Sequence, residues 1–159
     1  MQAVQTIWQP DESVFDKVHG EMRGIWRVKS ALSEAGIDMA KTLLTSRHPA
    51  VVSLVEKLTT EGMPKGFTQN QLPILFSGEN MMYFVTSGMP GAVFPEHSHK
   101  RDDGLRLVIA GSIFYGETQL VVGDWMYVPR GASYSFVAGE QGCTLFHVYS
   151  PSPHPQAVR

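Results

Sequence analysis

The spacing of apolar residues changes character near residue 60. Before it, apolar positions recur at helical intervals: Val51, Leu54, Val55 and Leu58 form one stripe from Pro49 to Leu58, which predicts an amphipathic helix stopped by Gly62. Upstream, Asp11 can cap a short helix carrying Val14, Phe15 and Val18 and closed by Gly20, and Ile25 to Val28 reads as a strand or another helix. His19 then falls at the end of the first helix and His48 at the start of the later one, where surface or capping roles suffice.

After residue 62 the chain breaks into short β-rich runs punctuated by Gly, Pro and Asp. Leu105 to Ala110 ends at Gly111-Ser112, followed by Ile113 to Gly116, Gln119 to Val122, and Gly123 to Tyr134. This texture predicts a mainly β protein, with antiparallel strands closing a sandwich or barrel. The tail from Ser150 through His154 is too rich in proline to pair as a central strand. The expected organisation is an N-terminal arm and helical extension over 1–62, a β-barrel over 63–155 and a tail over 156–159. The helices either cover an open face of the barrel or build a dimer interface. With Trp8 and Trp26 in the arm, a homodimer is expected.

Composition narrows the function classes. The chain has 159 residues, 43% hydrophobic and 18% charged, with a formal net charge of −2, as expected for a soluble globular protein. No basic run offers a footprint for nucleic acid. No apolar stretch reaches membrane length and no signal pattern opens the chain, so no membrane partner and a cytoplasmic location are expected. The single cysteine, Cys143, excludes an intrachain disulfide and reads as a small packed residue. Phosphate loops, G-x-S-x-G and C-x-x-C are all missing, which removes several enzyme classes. Met81, Met82, Tyr83, Phe84, Phe94 and Trp125 supply bulk for a core or an apolar pocket.

The candidate chemistry centres on His97-Ser98-His99. On a strand, residues two apart share a face, so both imidazoles point one way from backbones about 6–7 Å apart. That spacing suits a divalent iron, manganese, nickel or zinc ion. Gly91, His97, His99 and Gly111, followed by Gly123, Pro129 and Gly131, resemble the two linked motifs of the cupin superfamily. The resemblance spans about residues 68–151. It implies a cupin-type antiparallel β-barrel, a double-stranded β-helix or jelly roll, with a small molecule and often a metal ion inside.

Two positions depart from the pattern. Where the family carries a metal-binding glutamate stands Gly104, and Asp103 beside it is the candidate replacement if the strand begins with a bulge. One register turns Asp103, Leu105, Leu107 and Ile109 inward and Arg106 outward; Asp103 is expected near the mouth, with the register open. The opposite register buries Arg106 and Val108, and the guanidinium then needs a carboxylate, such as one on a substrate. Where the family carries its second-motif histidine stands Tyr134, a poor ligand near neutral pH but a good hydrogen-bond donor or acid. His147 is the candidate third imidazole if Leu145, His147 and Tyr149 face inward. The leading expectation is therefore a metal-dependent cupin enzyme, of dioxygenase type, acting on a small organic molecule. His97, His99, His147 and Asp103 are its candidate ligands, with Tyr134 and Arg106 acting on the substrate. The alternatives are a metal-free isomerase or epimerase and a non-catalytic ligand-binding or sensor module.

Overall fold

A computed structural model describes residues 8–76 and 80–151; the expectations for His154 and for 156–159 fall outside them, whereas Ser150 and Pro151, expected to lie beyond the strands, pair with Asp103 and Asp102. The N-terminal part holds a 3-10 turn at Ser13–Phe15, a minimal hairpin of β1 (Lys17–Val18) and β2 (Glu21–Met22), helix α1 (Arg23–Glu34), the four-residue helix α2 (Pro49–Val52) and a second 3-10 turn at Glu56–Leu58. Then come β3 (Phe67–Gln71), β4 (Met82–Gly88), β5 (Val93–His97), β6 (Asp102–Tyr115), β7 (Thr118–Val121), β8 (Trp125–Val128) and β9 (Tyr134–Pro151).

The strands form one antiparallel sheet in the order β3-β4-β9-β6-β7, with β5 also paired to β9 and β8 to β6. β6 and β9 are long because each serves two parts of the barrel. β9 pairs with β5 through its first half and with β4 through its second, while β6 follows it along most of its length. The sequence reading divided β6 at Gly111-Ser112, but this punctuation is a bulge within a single strand. Gly111 has φ +66, and a Cβ there would lie 2.1 Å from the Gly142 carbonyl oxygen, so only glycine lets the two strands bend against each other.

Of the two registers open for β6, the one that buries Arg106 is adopted. Arg106 and Val108 are each 1% exposed and Ile109 is 45% exposed. Val108 sits with Ile113, Phe136 and Leu145 in the barrel's apolar core, and period-two alternation carries Arg106 inward with it. Burying each such apolar side chain stabilises the fold by about 1.5–3 kcal/mol.

The N-terminal part also differs from its periodicity. The first expected helix shrinks to the 3-10 turn, in which Asp11 Oδ1 accepts the Ser13 N–H at 2.9 Å. His19 (φ 50) and Gly20 (φ 80) turn the hairpin rather than end a helix. The helix expected over Pro49–Leu58 survives as α2 and a 3-10 turn at Glu56–Leu58, with His48 Nδ1 accepting from the Ala50 N–H. Only Val51, Leu54 and Leu58 of its stripe are buried, Leu54 and Leu58 against Val28, Ala31 and Leu32 of α1, while Val55 is exposed. A separate cluster of Phe15, Met22 and Ile25 packs on Met82, Phe84 and Tyr149, which fixes this part across the open end of the barrel. Among the described residues no helix is long and apolar enough to cross a membrane.

Candidate functional site

The open end of the barrel is polar. β5 carries His97 to its last position and His99 follows; β6 contributes Arg106, and β9 contributes Tyr134, His147 and Tyr149. All six are buried and line one cavity. The pairing of Arg106 with His147, and of His97 with Tyr134, places these side chains on the inner face together. The His97 and His99 ring centroids are 5.0 Å apart.

Arg106 organises the group. Its Nη2 donates to the hydroxyls of Tyr134 and Tyr149, both at 3.0 Å, and lies 3.4 Å from His99 Nε2. Nη1 donates to the Leu105 carbonyl at 3.2 Å, and the guanidinium carbon stands 4.8 Å from the Tyr149 ring centroid. Nε is buried with no partner. Among the described residues no carboxylate forms an ion pair with this buried cation. Tyr149 does not supply the missing charge as a tyrosinate, since burial pushes its hydroxyl up to about 12.

Each histidine has a definable tautomer. His97 Nδ1 lies 2.7 Å from the Pro95 carbonyl, so it carries the hydrogen and leaves the Nε2 lone pair open. His99 Nε2 receives Arg106, which turns its Nδ1–H toward Glu12 Oε1 at 3.6 Å. Gln69 Nε2, which donates to Thr86 Oγ1 at 2.9 Å, also faces His147 Nδ1 at 3.5 Å. His147 therefore presents Nε2–H, buried and unpartnered. Burial lowers His97 to about 4, and burial with the Arg106 charge holds His147 well below the usual imidazole range. Burial also lowers His99, against the opposing pull of Glu12.

This donor set does not fit a metal ion. One imidazole lone pair is open, a second accepts from Arg106, and the third ring turns its hydrogen inward. A Cβ built on Gly104 would lie 2.4 Å from Arg106 Nη1. The guanidinium thus fills the room that the glutamate of the cupin pattern would need. Tyr134, the other departure from that pattern, bonds the same guanidinium. Among the described residues no group of three or more His, Cys, Asp or Glu side chains is placed to hold a metal. Asp103 lies on the opposite side of β6 from Arg106 and does not line the cavity; its carboxylate accepts from the Tyr127 hydroxyl at 2.5 Å and from the Arg130 N–H at 2.9 Å. Sequence reasoning passed over Tyr149 as an Arg106 partner, although it shares a strand face with His147. It also missed Gln69, Glu12 and Trp8, which reach the site from segments without motif character.

Residues 50–153 match the family described as the ChrR cupin-like domain. The chain belongs to that family. Solved structures similar to this ChrR-like cupin include KdgF from a Halomonas species, with a TM-score of 0.48 and 22% identity over 55% of this chain and 80% of that one. The Rhodobacter sphaeroides SigE complex with the anti-sigma ChrR gives 0.47 and 16% over 75% and 54%. An oxalate decarboxylase from Bacillus subtilis with Mn(II) centres gives 0.46 and 25% over 59% and 28%. No curated protein matches the chain.

Proposed function

We propose that this ChrR-like cupin is a metal-independent binding module for a small organic carboxylate held inside the barrel. The observation that carries the reading is the buried Arg106 guanidinium, without a carboxylate partner among the described residues and standing where the cupin pattern expects a metal ligand. An unpaired buried cation is costly, and a ligand carboxylate would offset that cost through charge-assisted hydrogen bonds. Arg106 Nε–H and His147 Nε2–H are buried donors still without partners.

Binding is favoured over the dioxygenase and isomerase readings. Dioxygenase chemistry at His97, His99 and His147 would need three inward lone pairs, of which Arg106 occupies that of His99 and the tautomer withholds that of His147. An acid–base isomerase would need an effective base, but His97, lowered to about 4, is a weak one near neutral pH. A homodimer remains part of the reading, supported by Ile109, Trp125 and Tyr127, which are exposed along β6 and β8.

The test is calorimetric titration with propionate of the unaltered protein and of Arg106→Met, beside titration of both with zinc. Saturable propionate binding lost in Arg106→Met, with no zinc uptake at the histidines, is the expected result. Stoichiometric zinc uptake by the unaltered protein, removed by His97→Ala with His99→Ala, would return the site to metal chemistry. As a complement, Gly104→Glu, Arg106→Val and Tyr134→His together should create zinc binding by restoring the donors and removing the cation.

A further inference from the structure

The ligand site lies beneath a strap. Residues 8–16 cross the barrel mouth and are fastened at several points. Trp8 packs edge-on against Phe94 and His97, with centroids at 5.2 and 5.1 Å, and its indole N–H donates to the Gly62 carbonyl at 3.0 Å. Glu12 accepts the Lys100 N–H at 3.1 Å and faces His99. Asp16 pairs with Arg101 at 2.8 Å. Trp8 also lines the cavity, and the free space left below is about 40 Å³. That is room for one or two water molecules at about 30 Å³ each, so an acid with a short alkyl chain enters with a small shift of Trp8, and an aromatic ring needs much more space.

The strap also sets the charge that a ligand meets. Glu12 stands behind His99, whose other ring nitrogen touches Arg106. The Arg106 guanidinium attracts one carboxylate, whereas a second carboxylate on the same molecule would approach Glu12 across one imidazole in a partly dehydrated mouth.

Taking the carboxylate-binding reading as given, we infer that the N-terminal strap makes this barrel selective for short monocarboxylates, with Trp8 setting the size limit and Glu12 rejecting a second negative charge. Both residues lie outside the residues 50–153 that match the family, so the specificity belongs to this chain's own arm. Glu12 and Trp8 are specificity-determining residues, and Arg106 is the anchor common to every acid that enters.

The experiment is a titration of the full chain with propionate, benzoate and succinate, read by calorimetry and by the ring resonances of His97 and His147. In the unaltered protein, propionate should bind at least tenfold more tightly than benzoate or succinate. Trp8→Ala should close most of the benzoate gap and leave the succinate gap. Glu12→Gln should do the reverse. Trp8→Leu, which keeps an apolar contact on Phe94, gives an intermediate benzoate ratio and guards against a folding defect. If the unaltered protein takes all three acids equally, the selectivity is refuted while the Arg106 anchor stands. If acids bind only after Trp8→Ala, the strap is a plug and not a filter. If no form binds any acid, the anchor itself falls.

Discussion

Two adjacent steps along β6 and β9 place opposite chemistry in equally buried positions. Val108 pairs with Leu145, at 1% and 0% exposure, and two residues along Arg106 pairs with His147, at 1% and 2%. The first pair belongs to the closed apolar end, where removal from water is the whole contribution. The second belongs to the open end, where the same degree of burial strips water from a cation and from an imidazole N–H that has no partner. Burial alone therefore does not say what a position does for this protein. One end holds the barrel together, and the other is held open for chemistry at some expense of stability.

The contrast can be broken most severely at the closed end. Leu145→Ala should cost about 3 kcal/mol, within the range for a large side chain removed from a packed core. Urea unfolding checks this value, and a loss below about 1 kcal/mol would mean that the apolar end relaxes around the cavity.

Acid should act on the open end. A histidine held below its ordinary range contributes stability that is fully present above its unfolded value of 6.5 and is lost as pH falls through its folded value, about 4 for His97. His99 and His147 are shifted in the same direction. Asp102 opposes them: burial, with neighbouring Asp103, raises it to about 6, so its contribution is complete below 3.8 and fades as pH rises through 6. Three histidines outweigh one carboxyl, and stability should drop by about 2–3 kcal/mol between pH 7 and pH 5. Denaturant midpoints at the two pH values decide the matter. A flat profile would mean that the imidazoles take up protons in the folded protein just as they do in the unfolded chain.

Arg106→Met sharpens the comparison because it converts the open end toward the closed one. Replacing an ion buried without a counter-charge by an apolar chain of similar length is commonly neutral or stabilising. The variant should therefore unfold within about 1 kcal/mol of the unaltered protein, or later, even though the Tyr134 and Tyr149 hydroxyls lose a partner. Thermal unfolding followed by circular dichroism measures it. A loss of about 3 kcal/mol or more would show that the guanidinium has a counter-charge within the fold. The smallest effect belongs to the outer surface, where Leu43→Ser, at a position 87% exposed, should change stability by less than about 0.5 kcal/mol.

The sequence alone was enough to identify a cupin barrel, because glycine and proline punctuation and the His97-Ser98-His99 spacing are local signals that survive without coordinates. It also marked the two unusual positions, Gly104 and Tyr134, and named Arg106 in either register. What it left undecided was which way β6 faces, because Leu105 to Ile109 are apolar on both faces apart from Arg106, and local alternation carries no preference there. Tertiary packing decided it: Val108 joined Ile113 and Leu145 in the core, and Arg106 was carried inward beside it. Only then did Gly104, Tyr134 and Arg106 emerge as one coordinated change, with the guanidinium filling the space that glycine leaves open and bonding the phenol that replaces an imidazole. The strap was hidden for the same reason. Glu12 and His99 are far apart along the chain, and the charge and size that a ligand meets are fixed by contacts that no local pattern encodes.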